Sequence, residues 1–423
     1  MFLRSAILKK SGKRIVKQRW RPVMNKDLNN ITEHQDYSNV SKECRHTPEG
    51  CNNDAKDIKY MRRALELAKK GEGFVNPNPM VGAVIVKNGR VIGEGYHRKY
   101  GQLHAERNAF ASLTESAEGA TLYVTLEPCC HYGKTPPCTE AVIENKIKRV
   151  VIGSKDNNPL VGGKGIKILK EHGIEVECGI LEEECRRLNE VFFYNMETHM
   201  PFVVMKYAQT LDGKIAAYSG LSKWITGEKA RQNVHKDRNK YMAVMVGIGT
   251  VLADNPMLTC RIEKNGHQIE TCNPIRVICD TNLRTPLESN IVKTAKDVRT
   301  IIATKVEDKD FHKKYTDKGV EILVVTQRDD DGHIDLNELM KKLADLKIDS
   351  VLIEGGAALN WSALKAGIVN KVQAYIAPKI FGGADAKTPV AGRGVNSPDE
   401  AFILKNKTIT AFGDDLLIEG YLK

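Results

Sequence analysis

Apolar positions along this chain follow two periods that alternate. In KYMRRALELAKK (Lys59–Lys70) they recur at helical spacing and stop at Gly71 and Gly73, which predicts a helix with a glycine end. VGAVIV (81–86) and RVIGEGY (90–96) read as strands joined by an Asn88-Gly89 hairpin turn. LHAERNAFASL then reads as a helix, ATLYVTLEP as a strand, TEAVIENK as a helix and RVVIGS as a strand. GIKILKEHG is helical and IEVECGI a short strand. Strands alternating with helices predict a three-layer α/β domain over 56–199.

A second α/β pattern occupies 200–423. Its predicted strands are PFVVMKYA, YMAVMVG, PIRVICD, RTIIAT, EILVVT, SVLIEGG and KVQAYIAPK, with helices EKARQNVHKDRN and LNELMKKLADLK among them. The polar stretch Glu263–Asn273 reads as a loop. Residues 1–55 are polar and basic with no sustained period, and are expected to form a largely disordered extension.

Charge changes the picture only at that extension. The net charge is +11, but Met1–Lys26 holds nine Lys/Arg and no acid, so the rest of the chain carries about +2. A basic tail is the plain reading. An organelle-targeting segment is the other, since the arm is basic and acid-free although poor in serine. The longest apolar run, Ala243–Ala253, is too short to span a bilayer. Neither membrane nor nucleic acid is an expected partner, and a cytoplasmic protein is expected. Ten cysteines, clustered beside His and Glu, suit a reducing compartment and metal chemistry better than a disulfide frame.

The cluster is LEPCCHYGKTPPC (Leu126–Cys138), preceded by His104-Ala105-Glu106. A catalytic Zn²⁺ takes three protein ligands and leaves one position for a water whose pKa it lowers. His104, Cys129 and Cys138 supply such a set, and a helix starting near Thr139 is expected to favour the charged sulfur of Cys138. Residues two apart do not share a helix face, so His104 and Glu106 can flank one point only off the helix's N-terminal end. There Glu106 can move a proton from water to a leaving amine. That is base-deaminase chemistry, whose signature is H-x-E followed by P-C-x-x-C. The second half departs from it, because position 132 is Tyr132 and Cys138 lies nine positions after Cys129. With Cys130 and His131 between them, a closed four-ligand structural zinc also stays open on the residues alone. Cys130 by itself reads as a small packing residue.

The combination NPNPMVGAVIV, GYH, HAE, EPCCHYGKTPPC and SKDNNPLVGGKG resembles the bifunctional riboflavin-biosynthesis deaminase/reductases. The likeness continues through KYAQTLDGKIA, SKWITG, VGIGTVLADNPMLTCR and LIEGGAALNWSAL, and covers about 57–423. The long loop between the cysteines is the spacing that family uses. The resemblance implies a cytidine-deaminase-like domain followed by a dihydrofolate-reductase-like α/β domain. The first would hydrolyse the 2-amino group of a diamino-ribosylamino-pyrimidinone 5′-phosphate, with one Zn²⁺ per chain on His104, Cys129 and Cys138 and Glu106 as proton shuttle. Asn78, His97, His131, Lys134, Asp156 and Asn158 match positions lining the pyrimidine and ribose-phosphate pocket.

The second would reduce the ribosyl group to ribityl with NADPH. Lys206, Ser222, Arg238, Leu258, Arg261 and Glu354 match substrate positions, the arginines being natural phosphate forks. Ala208, Trp224, Thr226, Thr250, Asp254 and Thr281 match cofactor positions. So do Gly355, Gly356, Ala357, Ala358, Leu359, Asn360, Trp361 and Ser362, where a helix start can meet the pyrophosphate. No G-x-G-x-x-G occurs, so an ordinary Rossmann site is not supported. A homo-oligomer is expected. Two other classes are weighed. A zinc-dependent nucleic-acid deaminase lacks a base-stacking module here, since the charge sits in the arm. A non-catalytic zinc-stabilised binding protein would have no use for Glu106.

Overall fold

A computed structural model of the chain describes residues 48–133, 136–157, 162–264, 267–326, 329 and 331–422. Nearly all of the basic extension lies outside the described residues, as do Lys134 and Asn158. No helix among the described residues is long and apolar enough to cross a membrane. Two large sheets and one small hairpin are present among the described residues, all within one compact unit, Cys51–Lys423.

The first sheet holds β1 (Gly82–Lys87), β2 (Arg90–Tyr96), β3 (Thr121–Leu126), β4 (Arg149–Ser154) and β5 (Glu175–Cys178), in the order β2-β1-β3-β4-β5. The β1–β2 hairpin turns at Asn88 and Gly89, both at positive φ (51° and 75°), the left-handed conformation that a two-residue turn requires. β1 is antiparallel to β2 and β3, while β3, β4 and β5 run parallel. Six helices accompany this sheet: α1 (Pro48–Ala68), α2 (Ala105–Ala111), α3 (Cys138–Glu144), α4 (Lys164–Glu171), α5 (Glu182–Leu188) and α6 (Glu190–Thr198).

The strands are apolar on both faces because both are covered. Ala83, Ile85, Val150 and Ile152 pack with Ala109 of α2, Val142 of α3 and Leu169 of α4. On the other face Val84, Val86 and Val151 pack with Met61 and Ala64 of α1 and Cys185 of α5. This is the expected three-layer domain. Helices α5 and α6 were not anticipated, since EEECRRLNEVFFYNMET mixes charge and apolar residues without a clear stripe.

The second sheet has nine strands in the order β12-β11-β10-β7-β13-β6-β14-β16-β15. They are β6 (Phe202–Thr210), β7 (Ala243–Gly247), β10 (Ile275–Cys279), β11 (Thr300–Thr304), β12 (Val320–Val324), β13 (Ser350–Ile353), β14 (Lys371–Ala377), β15 (Lys405–Phe412) and β16 (Asp415–Tyr421). The stretch read as a loop contains a small separate hairpin, β8 (Glu263–Lys264) and β9 (His267–Gln268). Strands β12 to β14 of the sheet order are parallel, and β16 and β15 add an antiparallel edge. The helices are α7 (Glu228–Lys240), α8 (Ile248–Asp254), α9 (Asn290–Lys293), α10 (Lys309–Thr316), α11 (Leu336–Asp345) and α12 (Ala357–Lys365). Leu339, Leu343 and Ala363 of α11 and α12 cover one face, and Val251, Ile291 and Tyr315 of α8, α9 and α10 cover the other. Parallel strands buried on both faces read as continuous apolar runs, which is how AVMV and SVLI stand in the sequence.

Candidate active sites

His104 stands at the N-cap of α2 in an extended conformation (φ −71°, ψ 167°), and Glu106 lies in the helix's first turn. The change from extended to helical backbone at that point turns both side chains towards the end of the helix. Cys129 lies in the loop after β3, and Cys138 opens α3 behind Pro137. His104 Nδ1 is 3.4 Å from Cys129 Sγ and 3.5 Å from Cys138 Sγ. The ligand atoms of His104, Cys129 and Cys138 all lie within 4.8 Å of one another, the one such group among the described residues. Neither Cys130 nor His131 joins them, so the four-ligand reading finds no fourth member in the described loop.

The sulfurs divide differently from the sequence expectation. The Cys138 N–H points at Cys129 Sγ (3.4 Å) rather than serving its own sulfur. Cys129, accepting from the Cys138 thiol and sharing a hydrogen bond with His104, is held well below the usual thiol range, to about 4. The same pairing pushes Cys138 up and raises the His104 imidazole. Glu106 is 3% exposed, and burial pushes its carboxyl up to about 7. A carboxyl poised near neutrality can take up and give back a proton.

A cavity of about 280 Å³ opens over this group, lined by Asn78, His97, His104, Glu106, Cys129, His131 and Asp156. These are seven residues the sequence had singled out. Asn78 Nδ2 is 3.2 Å from His97 Nε2, and His97 Nδ1 is 3.1 Å from the Leu103 carbonyl. Together these favour the neutral ring with its proton on Nδ1, consistent with burial holding the His97 pKa down. Tyr100, Gln102, Glu127 and Phe192 also line the cavity and were not foreseen. Glu127 is the most informative of them. Its buried carboxylate accepts the N–H groups of Asp156 (3.3 Å), Gly163 (3.0 Å) and Ile166 (3.2 Å), fixing the segment that carries Asp156.

A second cleft, of about 1080 Å³, lies at the carboxyl ends of the parallel strands of the larger sheet. Open α/β sheets bind ligands at this edge. Lys206, Ser222 and Glu354 line it, as do Ala208, Thr250, Asp254 and Thr281. So do Gly355, Gly356, Ala357, Ala358, Leu359, Asn360 and Ser362. Gly355 and Gly356 have φ of 121° and 93°, which only glycine adopts without strain, and they carry the chain from β13 into α12.

The remaining six expected residues are placed elsewhere. Arg238 stands behind Glu354, its guanidinium forked onto that carboxylate at 2.5 and 2.8 Å and donating to the Thr259 carbonyl at 3.0 Å. Its donors are thereby committed to orienting Glu354. Leu258 and Thr226 are buried. Arg261 is exposed, its backbone N–H donating to His235 Nδ1. Trp224 is 63% exposed beneath the Arg231 guanidinium, and Trp361 packs edge-on against Phe402. Asn282, His333, Lys387 and Thr388 line the cleft without having been anticipated. They come from loops that carry no motif of their own.

Both sites agree in chemistry with what they would hold. Two thiols and an imidazole form a soft, compact donor set suited to zinc. In the larger cleft Asn360 is 1% exposed and donates to the Pro389 carbonyl, yet its Oδ1 has no hydrogen-bond partner. An unmet acceptor in the wall beside a helix start suits a ligand that brings donors and an anionic group.

Comparison with known proteins bears on both halves. Residues 54–154 match the family model of the cytidine and deoxycytidylate deaminase zinc-binding region, and 201–418 that of the RibD C-terminal domain. The riboflavin biosynthesis protein RibD of Actinobacillus pleuropneumoniae is 53% identical over 86% of this chain and 94% of its own length. RibD of Escherichia coli K12 is 38% identical over 86% and 98%. Among solved structures, a diaminohydroxyphosphoribosylaminopyrimidine deaminase/5-amino-6-(5-phosphoribosylamino)uracil reductase of Thermotoga maritima is 41% identical, covering 87% of this chain and 99% of its own, with a TM-score of 0.75. RibD of Acinetobacter baumannii gives 39%, 87%, 99% and 0.78.

Proposed function

The chain belongs to the RibD family, the bifunctional deaminase/reductases of riboflavin biosynthesis, and on that premise we propose which residues of each cleft carry which step. The smaller cleft takes 2,5-diamino-6-ribosylamino-4(3H)-pyrimidinone 5′-phosphate and replaces its 2-amino group by oxygen, releasing ammonia. The larger cleft reduces the ribosyl group of that product to ribityl, giving 5-amino-6-ribitylamino-uracil 5′-phosphate.

His104, Cys129 and Cys138 would hold the zinc ion, which when bound supplies Lewis-acid activation of water near neutral pH. Glu106 takes the proton that the attacking water gives up and passes it to the departing amino group. Its buried carboxyl, pushed up to about 7, is suited to both directions. Asn78, braced by His97, presents an amide to the pyrimidine edge. His131 at the cavity mouth, together with Lys134, suits the 5′-phosphate, while Asp156 and Asn158 suit the ribose side.

In the larger cleft NADPH, when bound, supplies the hydride, and the protein's part is to position it. The α12 start with Gly355 and Gly356 receives the pyrophosphate, and Thr250, Asp254 and Thr281 line the same wall. Lys206 and Glu354 face the substrate side. Burial pushes the Lys206 ammonium down, and Arg238 keeps Glu354 ionised and in place.

The observation that carries this reading is the convergence of three zinc-type donors and a buried, proton-ready Glu106 in one cavity. Purified protein given the diaminopyrimidine phosphate should release ammonia and oxidise NADPH in sequence, each followed separately. Treatment with a zinc chelator should abolish the first and spare reduction of supplied deaminated substrate. Absence of both reactions in the zinc-loaded protein would overturn the reading.

A further inference from the structure

The wall of the smaller cavity that carries Asn78 is held in place from outside its own sheet. The segment 72–80 contributes Asn78 and Pro79 to that wall. At its start, the Glu72 carbonyl accepts Asn239 Nδ2 at 3.1 Å, and Asn239 Oδ1 in turn accepts the Cys272 N–H at 2.9 Å. Asn239 belongs to α7, a helix of the second α/β pattern. The two backbones approach so closely that a Cβ on Gly73 would stand 2.3 Å from Asn239 Nδ2 and 2.4 Å from its carbonyl oxygen. Asn76 Nδ2 donates to the Lys240 carbonyl at 3.2 Å, and the same side chain hydrogen-bonds the Asp349 carboxyl just before β13, whose pKa burial pushes up on balance.

The far end of the segment is gripped in the same direction. Asn189 accepts the Met80 N–H (2.8 Å) and donates to the Met80 carbonyl (2.9 Å), and it is 3% exposed. Its neighbour Glu190 is seated on the second sheet. The Glu190 carboxylate meets Lys371 at 3.3 Å, Lys240 at 3.6 Å and the Tyr421 hydroxyl at 2.5 Å. Thus each end of a nine-residue loop is tied to the larger sheet, while its middle lines the smaller cavity.

We propose that Asn239 and Asn76 are positioning residues for the deamination: the reductase half, through the last turn of α7, sets the Asn78 wall of the deaminase cavity. This rests on the deaminase reading of that cavity. Its two prolines narrow the choices of this loop, but with few hydrogen bonds of its own other conformations remain open, and fixing one in advance lowers the cost of binding substrate. The contacts touch no reacting atom, so their loss should appear in substrate binding rather than in the chemical step.

The test is N239D, which keeps the acceptor for the Cys272 N–H but sets a carboxylate against the Glu72 carbonyl. With the diaminopyrimidine phosphate, KM for ammonia release should rise roughly tenfold, about what 1.4 kcal/mol of lost loop ordering produces. Its kcat should stay within about twofold, zinc content should be unchanged, and KM for reduction of supplied deaminated substrate should stay at the wild-type value. N76A should show the same split, and N239D combined with N76A should be less than additive because both hold one loop. If wild-type protein releases no ammonia, the deaminase reading itself fails. If it does, and both single variants keep the wild-type deamination KM, the positioning proposal is overturned. An equal fall of kcat in both reactions, in both variants, would assign these contacts to folding alone and overturn it as well.

Discussion

His104 and Glu106 are two positions apart and face one point because the helix begins between them. An extended His104 followed by a helical turn folds the two side chains over the open end of α2, where neither would meet the other inside a helix. That much was legible from the H-x-E spacing, because it follows from helix geometry alone. Which sulfur carries the charge was not. The Cys138 N–H reaches across to Cys129, nine positions earlier, a contact that no local rule sets. Glu106 is the residue on which turnover should depend most sharply. Glu106→Gln keeps the volume and a hydrogen-bonding end but cannot shuttle a proton. Ammonia release should fall by about 10²–10⁴-fold, the usual contribution of a positioned acid/base. Zinc content, measured by atomic absorption, should stay at one per chain, and reduction of supplied deaminated substrate should be unaffected. Loss of zinc in this variant would make Glu106 a structural residue instead.

At the level of elements, the informative unit is the junction of β4 and α4, where the Glu127 carboxylate accepts the N–H groups of Asp156 after β4, Gly163 before α4 and Ile166 in its first turn. A buried carboxylate with this many donors is stabilising only while all of them are in place, and removing it leaves the N–H groups unmet at about 1–3 kcal/mol each. Gly165 marks how tightly the start of α4 is pulled in, since a Cβ there would lie 2.3 Å from the Pro128 carbonyl. Glu127→Ala should therefore lower the urea midpoint and raise the deamination KM, while Glu127→Gln, which keeps one acceptor, should recover part of both. Unchanged stability in Glu127→Ala would contradict the clamp. Nothing in LEPCC announces this role, because the partners are backbone groups 29 to 39 residues away. The same reason explains other elements that the pattern did not reveal. β15 is exposed along nearly its whole length and rich in Lys and Thr, as a protected edge strand is, so no apolar alternation marks it. The β1–β2 hairpin and the central strands were legible because a turn dipeptide and two-sided burial leave local signatures.

Across the whole molecule, the larger sheet separates what its two ends do. The contacts from the first half named above reach one edge of that sheet, at the amino ends of its parallel strands and at Tyr421, which ends antiparallel β16 opposite Lys371. Lys240 precedes β7, Asp349 precedes β13 and Lys371 opens β14. The larger cleft opens at the opposite, carboxyl ends, after Ala208, Gly247, Cys279 and Glu354. Strands of four or five residues at about 3.3 Å each put roughly 15 Å of packed sheet between those two edges. The core there is made of side chains such as Val244, Met245, Val351 and Leu352, all with no exposed surface, so it offers no passage for a phosphorylated pyrimidine. The deaminated product is thus expected to reach the second cleft through solvent. Mixing two variants tests this. Glu106→Gln retains only reduction, and Lys206→Ala, which removes the ammonium lining the larger cleft, should retain only deamination. Together they should turn over the diaminopyrimidine phosphate fully, with NADPH oxidation following ammonia release after a lag that shortens as the Glu106→Gln protein is increased. An inert reductase added in excess to wild-type enzyme should not alter the yield, whereas added active reductase should capture product. A wild-type reaction with no lag, and no NADPH oxidation in the mixture, would show instead that the intermediate is handed over within one molecule.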